Sequence, residues 1–380
     1  MRCNRCKNED MRFFQYDQGI YYCRKCIAFG RINVGDKVKP CLLKRRKINI
    51  EPKLRYELTS SQKEVSNNVY LNLKMGYDVF LYAATGAGKT ECTYQSICAY
   101  LREGKKVGFA ISRRQVVLEI ANRLRKDFPS LKIVEVTQGY TQIVDGDLIV
   151  CTMHQLYRYA YGFDLLIMDE VDAFPYIDND VLQAISNQAC VGQKLYLSAT
   201  PDEKMIEDIK KGKIKEVTLF KRAHNHPLCI PKVIQVPISI QILCIFYFLF
   251  KWKNKQVLIF VPTKEDTVYI SKILSLFTKI KGVHSSSENK DEIIESFRSK
   301  DIQVLVCTTL MERGITIPDV QVIVYKANHV VFTCASLIQI YGRVGRSFEN
   351  PEGEGICLCQ STNQSIRKCI RQIRMMNDSV

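Results

Sequence analysis

The chain has 380 residues, of which 46% are hydrophobic and 10% aromatic. This is long enough for two or three domain cores and too apolar for a disordered protein. The formal net charge is +16, and residues 1–60 alone contain 15 Lys and Arg against 6 Asp and Glu. A basic excess of this size favours a polyanionic partner, either nucleic acid or an anionic membrane surface.

The 16 cysteines and the start of the chain bear on the cellular compartment. Met1 is followed directly by a polar, Cys-rich stretch, so we expect no signal peptide. Most of the later cysteines stand singly in apolar runs, as small buried hydrophobic residues do. The strongly apolar run 242–250 is too short to span a bilayer, and helix packing in a core is favoured for it over membrane insertion. We therefore expect a reduced, cytoplasmic protein.

Two Cys-x-x-Cys pairs open the chain, and sixteen residues separate Cys3 and Cys6 from Cys23 and Cys26. This spacing predicts a tetrahedral zinc site, which four thiolates would close, so the zinc should be structural. Five aromatic residues between the pairs are expected to form a small hairpin core: Phe13, Phe14, Tyr16, Tyr21 and Tyr22. Interleaved basic and aromatic residues fit nucleic-acid contact or packing on the next domain, and both interpretations stay open.

A basic connector, 36–55, follows the cysteine region and contains Lys44-Arg45-Arg46-Lys47. A solvated face is favoured there over a phosphate contact. Beyond it, short apolar runs alternate with helical stretches, which is typical of α/β domains with parallel sheets. The first set of expected strands is 79–84, 107–111, 133–136, 147–151, 165–169 and 194–199. The second set is 232–237, 256–261, 302–307, 321–325 and 355–359.

These elements predict three domains. They are a zinc-binding domain with its connector (1–55), a first α/β domain (56–222) and a second α/β domain (223–380). Residues 221–231, which contain two histidines and two prolines, are predicted to be a linker. Helices are expected at 264–277 and 289–299, and Trp252 is expected to anchor a core.

A glycine-bearing loop joins the first strand of the first α/β domain (56–222) to a helix-like segment. Its residues are Ala83, Ala84, Thr85, Gly86, Ala87, Gly88, Lys89 and Thr90. Backbone N–H groups of such a loop and the following helix N-terminus bind phosphate oxygens. Lys89 can reach the β- and γ-phosphates, and the Thr90 hydroxyl can bind Mg²⁺. The loop therefore predicts ATP binding.

Two further segments complete the hydrolytic chemistry of the first α/β domain. Asp169 and Glu170 end a buried strand, where Asp169 can hold Mg²⁺ through water and Glu170 can orient or deprotonate the attacking water. Ser198 and Thr200 follow the next core strand, where their hydroxyls can bridge the nucleotide site and the second domain.

The second α/β domain contributes Gln-Ile-Tyr-Gly-Arg-Val-Gly-Arg at 339–346. Arg343 and Arg346, three residues apart, are predicted to share one face of a helix. A guanidinium directed at the γ-phosphate would stabilise charge in phosphoryl transfer. Glycines beside these arginines disfavour a merely solvated helix face, because they lower helix stability.

Asp-Glu-x-Asp, Ser-Ala-Thr and Gln-x-x-Gly-Arg-x-Gly-Arg, in this order after a phosphate loop, resemble a superfamily 2 helicase or translocase with two RecA-like domains. The resemblance implies that Gln62 reads adenine and that Gln339 belongs to the nucleotide site. It also implies a set of residues that contact nucleic acid or couple it to ATP: Arg113, Arg114, Gly139, Thr152, Ser198, Thr200, Thr308, Thr309, Glu312, Arg313 and Gly314.

The four-cysteine region before the motor and the late motif Glu-Arg-Gly-Ile-Thr-Ile-Pro are similar to the ComFA family, the competence ATPases of Gram-positive bacteria. This resemblance implies a cytoplasmic motor, peripheral at the inner face of the cell membrane, that uses ATP, Mg²⁺ and a structural Zn²⁺. It would draw single-stranded DNA through the ComEC channel with ComFC as a partner, and an oligomer is compatible with it. Thr316 stands where many relatives carry Asp, which weakens the expectation of strand unwinding.

Two other functions stay open from the sequence. An RNA or replication-restart helicase on the same motor would separate duplexes. An ATP-gated clamp or adaptor would bind nucleic acid without productive turnover. The presence of Glu170 and the arginines argues against it, because a protein that only binds needs neither. Stimulation of ATP hydrolysis by single-stranded DNA, duplex DNA or RNA distinguishes these functions.

Overall fold

A computed structural model of the chain describes residues 1–309, 317, 319–347 and 349–379. The chain divides into two compact units. The first unit contains Met1–Tyr82 and Lys89–Thr218, and the second contains Ala83–Gly88 and Leu219–Val380. Within the described ranges, no helix is both long enough and apolar enough to cross a membrane.

The cysteine region forms a small hairpin of strands β1 (Phe14–Asp17) and β2 (Ile20–Cys23). Of the five aromatic residues expected to form its core, Phe14 is buried and Tyr22 half-buried. Phe13, Tyr16 and Tyr21 are exposed, so the expected aromatic core is wrong for these three. A hairpin of this size cannot cover five rings, and its interior is instead the four buried cysteines.

One edge of the cysteine region packs on the first α/β domain. The Phe29 ring lies 6.3 Å from the His154 ring and 5.4 Å from the Tyr157 ring, between centroids. Lys25 pairs with Asp180 at 3.4 Å. The packing interpretation is therefore confirmed for this edge, while the exposed tyrosines of the hairpin remain candidates for nucleic-acid contact.

The first α/β domain contains a seven-stranded sheet in the order β5-β6-β4-β7-β8-β3-β9. Its strands are β3 (Asp78–Ala83), β4 (Val107–Ile111), β5 (Ile133–Val136), β6 (Leu148–Thr152), β7 (Phe163–Asp169), β8 (Cys190–Ser198) and β9 (Ile214–Leu219). The pairings from β5 across to β3 are parallel. All six expected strands are present, and β9 was missed because its polar–apolar alternation gives an edge strand a weak signal.

Five helices accompany these strands, and all of them except α5 bury side chains. They are α1 (Ser60–Lys74), α2 (Tyr94–Arg102), α3 (Arg114–Asp127), α4 (Asp180–Ala189) and α5 (Glu203–Lys210). The central strands β4 and β6 are buried at every position, as expected for parallel strands covered on both faces.

The basic connector runs along this first unit and is largely exposed. Arg46 binds the Asp147 carboxylate with two hydrogen bonds of 2.7 and 2.6 Å, and Arg45 pairs with Asp164. The connector is exposed, as a solvated face would be, and its arginines also fix it to acidic residues of the first domain.

The second unit contains a six-stranded parallel sheet in the order β10-β15-β14-β11-β13-β12. Its strands are β10 (Lys232–Gln235), β11 (Gln256–Phe260), β12 (Ile280–Val283), β13 (Val304–Cys307), β14 (Val320–Val324) and β15 (Gly355–Cys359). Its helices are α6 (Ile238–Lys251), α7 (Lys264–Leu274), α8 (Lys290–Arg298), α9 (Cys334–Tyr341) and α10 (Gln364–Asp378). The sequence missed β12, a four-residue edge strand that includes a lysine and a glycine.

Helix α6 presents apolar residues on both sides. Ile245, Phe248 and the following Trp252 are buried in the core of the second domain, and Trp252 Nε1 donates to Glu354 at 2.6 Å. The core-packing and anchor interpretations are therefore confirmed. The outward side is apolar as well, since Tyr247 and Phe250 are exposed, Phe250 by 83%.

Candidate nucleotide and zinc sites

Several predicted site residues of the first domain lie at one edge of its sheet. Tyr82 of β3 stands opposite Ser198 of β8, and Asp169 of β7 stands opposite Leu197. Because these strands are parallel, their carboxyl ends meet at the same edge, where α/β sheets bind ligands. The phosphate loop, the acidic motif and Ser-Ala-Thr therefore follow three adjacent strands, β3, β7 and β8, with β8 in the middle.

The phosphate loop has the backbone conformation that an anion cradle requires. Gly86 and Gly88 have φ of 79° and 86°, where residues with a Cβ are strained. Thr90 is 6% exposed, and Lys89 is half-buried. Since β8 separates β3 from β7, the strand ends that carry Lys89–Thr90 and Asp169 are two strand spacings apart, about 10 Å. A Mg²⁺–triphosphate fits a separation of that size.

The backbone fixes the acidic pair at the end of β7. The Glu170 N–H donates to Asp169 Oδ1 at 2.9 Å and to the Leu197 carbonyl at 3.0 Å. Glu170 has φ of 56°, a conformation that few residues other than glycine adopt. Such strain is common at functional sites, because it directs a side chain that regular strand geometry would point elsewhere.

Asp172, the last residue of the acidic motif, is a site residue that our sequence assignment left out. Its carboxylate accepts hydrogen bonds from Ser198 Oγ at 2.7 Å and from Thr200 Oγ1 at 2.6 Å. Ser198 Oγ also accepts from the Thr200 N–H at 2.9 Å. All three residues are buried. The hydroxyls predicted to couple the domains thus bind an acid of their own domain. The motif Asp-Glu-x-Asp, which ends at this residue, was the sequence signal that could have identified Asp172 as a site residue.

Gln62, expected to read adenine, makes local contacts at the start of α1. Its Oε1 accepts from the Thr59 N–H at 2.9 Å, and its own N–H donates to Thr59 Oγ1 at 3.3 Å. This reciprocal capping box orients the buried side chain. Reading of adenine by Gln62 stays a prediction.

The residues expected to contact nucleic acid in the first domain follow strand ends of the same sheet. Arg113 and Arg114 come after β4, and Arg114 Nε donates to the Gln138 carbonyl at 3.1 Å. Gly139 follows β5 with φ of 84°, and Thr152 ends β6. In the second domain, Thr308 and Thr309 follow β13 and are half-buried. Glu312, Arg313, Gly314 and Thr316 lie outside the described residues.

The arginine motif of the second domain departs from the expected helix. Helix α9 ends at Tyr341, so Gln339 is helical, while Arg343 lies in the turn 342–345 and Arg346 directly follows that turn. The prediction that the two arginines share a helix face is therefore wrong. Gly345 within this turn has φ of 61°, where a residue with a Cβ would be strained.

The four cysteines near the start of the chain fit a zinc ion. Their sulfur atoms all lie within 4.8 Å of one another, with Cys3–Cys26 at 3.7 Å and Cys6–Cys23 at 3.6 Å. A tetrahedron with Zn–S bonds of about 2.3 Å has sulfur–sulfur edges of about 3.8 Å. All four side chains are buried. Burial of four thiolates is unfavourable on its own, and a bound cation would offset their negative charge.

Comparisons with known proteins agree with this architecture. Two family models match: residues 55–203 match "Type III restriction enzyme, res subunit", and residues 239–348 match "Helicase conserved C-terminal domain". Among solved structures, Saccharomyces cerevisiae Dbp5 bound to RNA and ADP BeF3 superimposes with a TM-score of 0.61. It covers 85% of this chain and 92% of that chain at 16% identity, so the likeness concerns the fold, two RecA-like domains.

Two curated relatives match along nearly the whole chain. Competence protein ComFA of Streptococcus pneumoniae is 35% identical over 99% of this chain and 90% of its own length. Competence protein ComFA of Bacillus subtilis is 29% identical over 99% of this chain and 86% of its own length. The match therefore includes the cysteine region as well as both helicase domains.

Proposed function

This chain belongs to the ComFA family of competence proteins, a superfamily 2 helicase family, and on that premise we propose that it is an ATP-driven translocase on single-stranded DNA. The helicase domains establish an ATP-hydrolysing, helicase-like enzyme. The observation that carries the proposal is the shared edge of the first sheet, where the phosphate loop, Asp169–Glu170 and the Asp172 cluster follow adjacent strands.

In the proposed mechanism, the loop 83–88 and Lys89 bind the triphosphate, while Thr90 and Asp169 hold Mg²⁺. Bound Mg²⁺ would neutralise charge on the phosphates. Glu170 orients the attacking water, and its backbone position beside Asp169 supports that role. Arg343 and Arg346 stabilise charge on the γ-phosphate. Gln62 and Gln339 complete the nucleotide site.

Backbone contacts explain why the strand would be bound without sequence preference. Most of the residues proposed for this role carry hydroxyl or guanidinium groups or are glycines whose backbone a strand can approach closely, and such groups bind phosphate and sugar, while Glu312 is proposed to couple the strand to ATP. They are Arg113, Arg114, Gly139, Thr152, Ser198, Thr200, Thr308, Thr309, Glu312, Arg313 and Gly314. Ser198 and Thr200 would act through the Asp172 cluster.

The test is steady-state ATP hydrolysis without nucleic acid and with single-stranded DNA, duplex DNA or RNA. Lys89→Ala provides the blank, and Lys126→Ala, an exposed lysine on α3, is the matched control. We expect single-stranded DNA to stimulate turnover most and Lys89→Ala to abolish it. Preference for RNA would support an RNA helicase instead, and tight DNA binding without Lys89-dependent turnover would support a clamp.

We propose that Cys3, Cys6, Cys23 and Cys26 bind one structural Zn²⁺. The donor set and the sulfur spacing support this assignment. Zinc would connect the two Cys-x-x-Cys turns of the hairpin and so stabilise the edge, including Phe29, that packs on the first domain.

Partners and location are proposed from family membership. ComFC and the ComEC channel are the proposed partners, with the chain attached peripherally to the inner face of the cell membrane. Helix α6 supports membrane attachment, because its outward side is apolar at Leu243, Tyr247 and Phe250, next to the exposed Phe277. Three lysines end or follow the helix: Lys253 is exposed, Lys251 pairs with Glu354 and Lys255 pairs with Asp319. Lysines beside an apolar helix face suit anionic lipid headgroups.

Flotation with lipid vesicles tests this attachment. We expect binding to vesicles that contain phosphatidylglycerol, weak binding to pure phosphatidylcholine, and loss of binding in Phe250→Glu. The control is Val191→Glu, which changes an exposed apolar residue of the first domain. Equal binding of both variants and the wild type would contradict the proposed surface.

A further inference from the structure

Arg222 has an unusual environment for a charged residue. It lies three residues beyond β9, in the segment predicted to be a linker, and is 2% exposed. Among the residues that the structure describes, its side chain donates hydrogen bonds to backbone carbonyls and none to a carboxylate. Burial of a guanidinium without an acid opposes folding unless its donors are satisfied, so such a residue calls for a functional reason.

The carbonyls that Arg222 binds belong chiefly to one turn. Nη2 donates to Gly342 at 2.9 Å, and Nη1 donates to Val344 at 3.0 Å and to Gly345 at 2.9 Å. Gly342 is the C-cap of α9, so the guanidinium lies at the negative end of this helix, where a cation is favoured. The three bound carbonyls therefore lie on both sides of Arg343 in the sequence, and the last of them belongs to the residue directly before Arg346.

Arg222 also reaches the phosphate loop. Its Nε donates to the Thr85 carbonyl at 2.9 Å. A methyl group placed on Gly86 would lie 3.7 Å from Arg222 Nε and 3.3 Å from Arg346 Cγ, so both arginine side chains approach the loop. The positive charges of Arg222 and Arg346 are close enough to oppose each other, and a triphosphate bound at this loop would stabilise both.

Resting on the proposed function, we propose that Arg222 is a positioning residue for ATP hydrolysis, which fixes the turn 342–345 and thereby directs Arg343 and Arg346 at the nucleotide. The planar fork of guanidinium donors suits several carbonyls at fixed angles, whereas a lysine ammonium offers a single point charge. Burial and the nearby Arg346 lower the pKa of Arg222 to about 10, still above neutral pH, so the side chain stays charged.

The test combines kinetics with a double-mutant cycle. Arg222→Met, which removes the donors while retaining much of the volume, is expected to lower kcat for ATP about tenfold or more, with KM changed less than about threefold. Arg346→Ala should lower kcat as well. In the Arg346→Ala background, Arg222→Met should lower kcat by a clearly smaller factor than in the wild type, because the part of its effect that acts through Arg346 is already lost and only the part through Arg343 remains. Arg371→Met, an exposed arginine on α10, is the control.

Further arms separate a positioning role from a structural one. Arg222→Lys keeps the positive charge and can be used if Arg222→Met does not fold. Because a lysine cannot bind all of the carbonyls at once, we expect its kcat to be at least about fivefold below that of the wild type. Wild-type kcat in a folded Arg222→Lys, or equal fold-losses from Arg222→Met in both backgrounds, would overturn the role of Arg222. Full turnover of Arg346→Ala would instead overturn the proposed function of that arginine.

Discussion

The buried carboxylate of Asp172 gives the sharpest stability prediction for the first domain. Thr200→Val removes a hydroxyl that donates to Asp172 Oδ2 at 2.6 Å and replaces it with a methyl group of the same shape. A hydrogen bond to a charged group contributes about 1.5–3 kcal/mol, so this substitution should lower the free energy of unfolding by about 2 kcal/mol. Ser198→Ala should cost more, because Ser198 Oγ both donates to Asp172 and accepts from the Thr200 N–H.

Thr137 provides a matched control within the same unit. Its hydroxyl oxygen is buried and has no hydrogen-bond partner among the residues that the structure describes. Thr137→Val therefore makes the same chemical change without removing such a bond, and it should leave stability unchanged or raise it. Chain length, hydrophobic transfer and residue shape are the same in Thr137→Val and Thr200→Val.

Urea unfolding followed by far-UV circular dichroism measures the difference. With a slope of about 2 kcal/mol per M, a loss of about 2 kcal/mol lowers the midpoint by about 1 M. Trp252, the one tryptophan of the sequence, is buried in the second unit and reports on that unit by fluorescence. If Thr200→Val and Thr137→Val have the same midpoint, the hydroxyl–carboxylate cluster does not stabilise the domain as argued.

Three further outcomes are expected. Cys23→Ser should lose the bound zinc and make residues 1–40 sensitive to protease, whereas Cys41→Ser, outside the cluster, should retain one zinc per chain; unchanged metal content in Cys23→Ser would contradict the four-thiolate site. Arg46→Gln should lower Tm at pH 7. Burial raises the pKa of Asp147, but hydrogen bonds from Arg46 and a backbone N–H outweigh it and hold that pKa below its usual range. The stabilisation is thus present above the ordinary aspartate pKa and is lost as pH falls through the lowered one, so the Tm difference should disappear in acid. Gly345→Ala should destabilise the second unit by about 1–3 kcal/mol, since φ is 61° and a Cβ there would overlap a neighbouring carbonyl oxygen; an unchanged midpoint of Trp252 fluorescence would refute this.

Most of the fold could be predicted from the sequence, because its signals are local. Central parallel strands are buried on both faces and read as continuous apolar runs, and every expected strand of both domains was found. The strands that were missed, β9 and β12, lie at sheet edges, where one side of a strand stays polar and the apolar run is broken. The cysteine cluster could also be predicted from the sequence, because metal geometry restricts the spacing of its ligands.

The sequence by itself determined which residues follow the strands, because glycine, lysine and acidic residues in a fixed order leave few other interpretations. Only the tertiary structure decided which contacts two of these motifs make, the arginine motif after α9 and the acidic motif after β7. Helix α9 ends before Arg343, and Arg222, more than a hundred residues away in the sequence, binds the carbonyls of Gly342 and Val344 in the turn that follows. Asp172 likewise acquires its partners from β8. Such contacts depend on register and chain crossing, which no local pattern encodes, because a hydrogen bond needs only proximity in space and not in sequence.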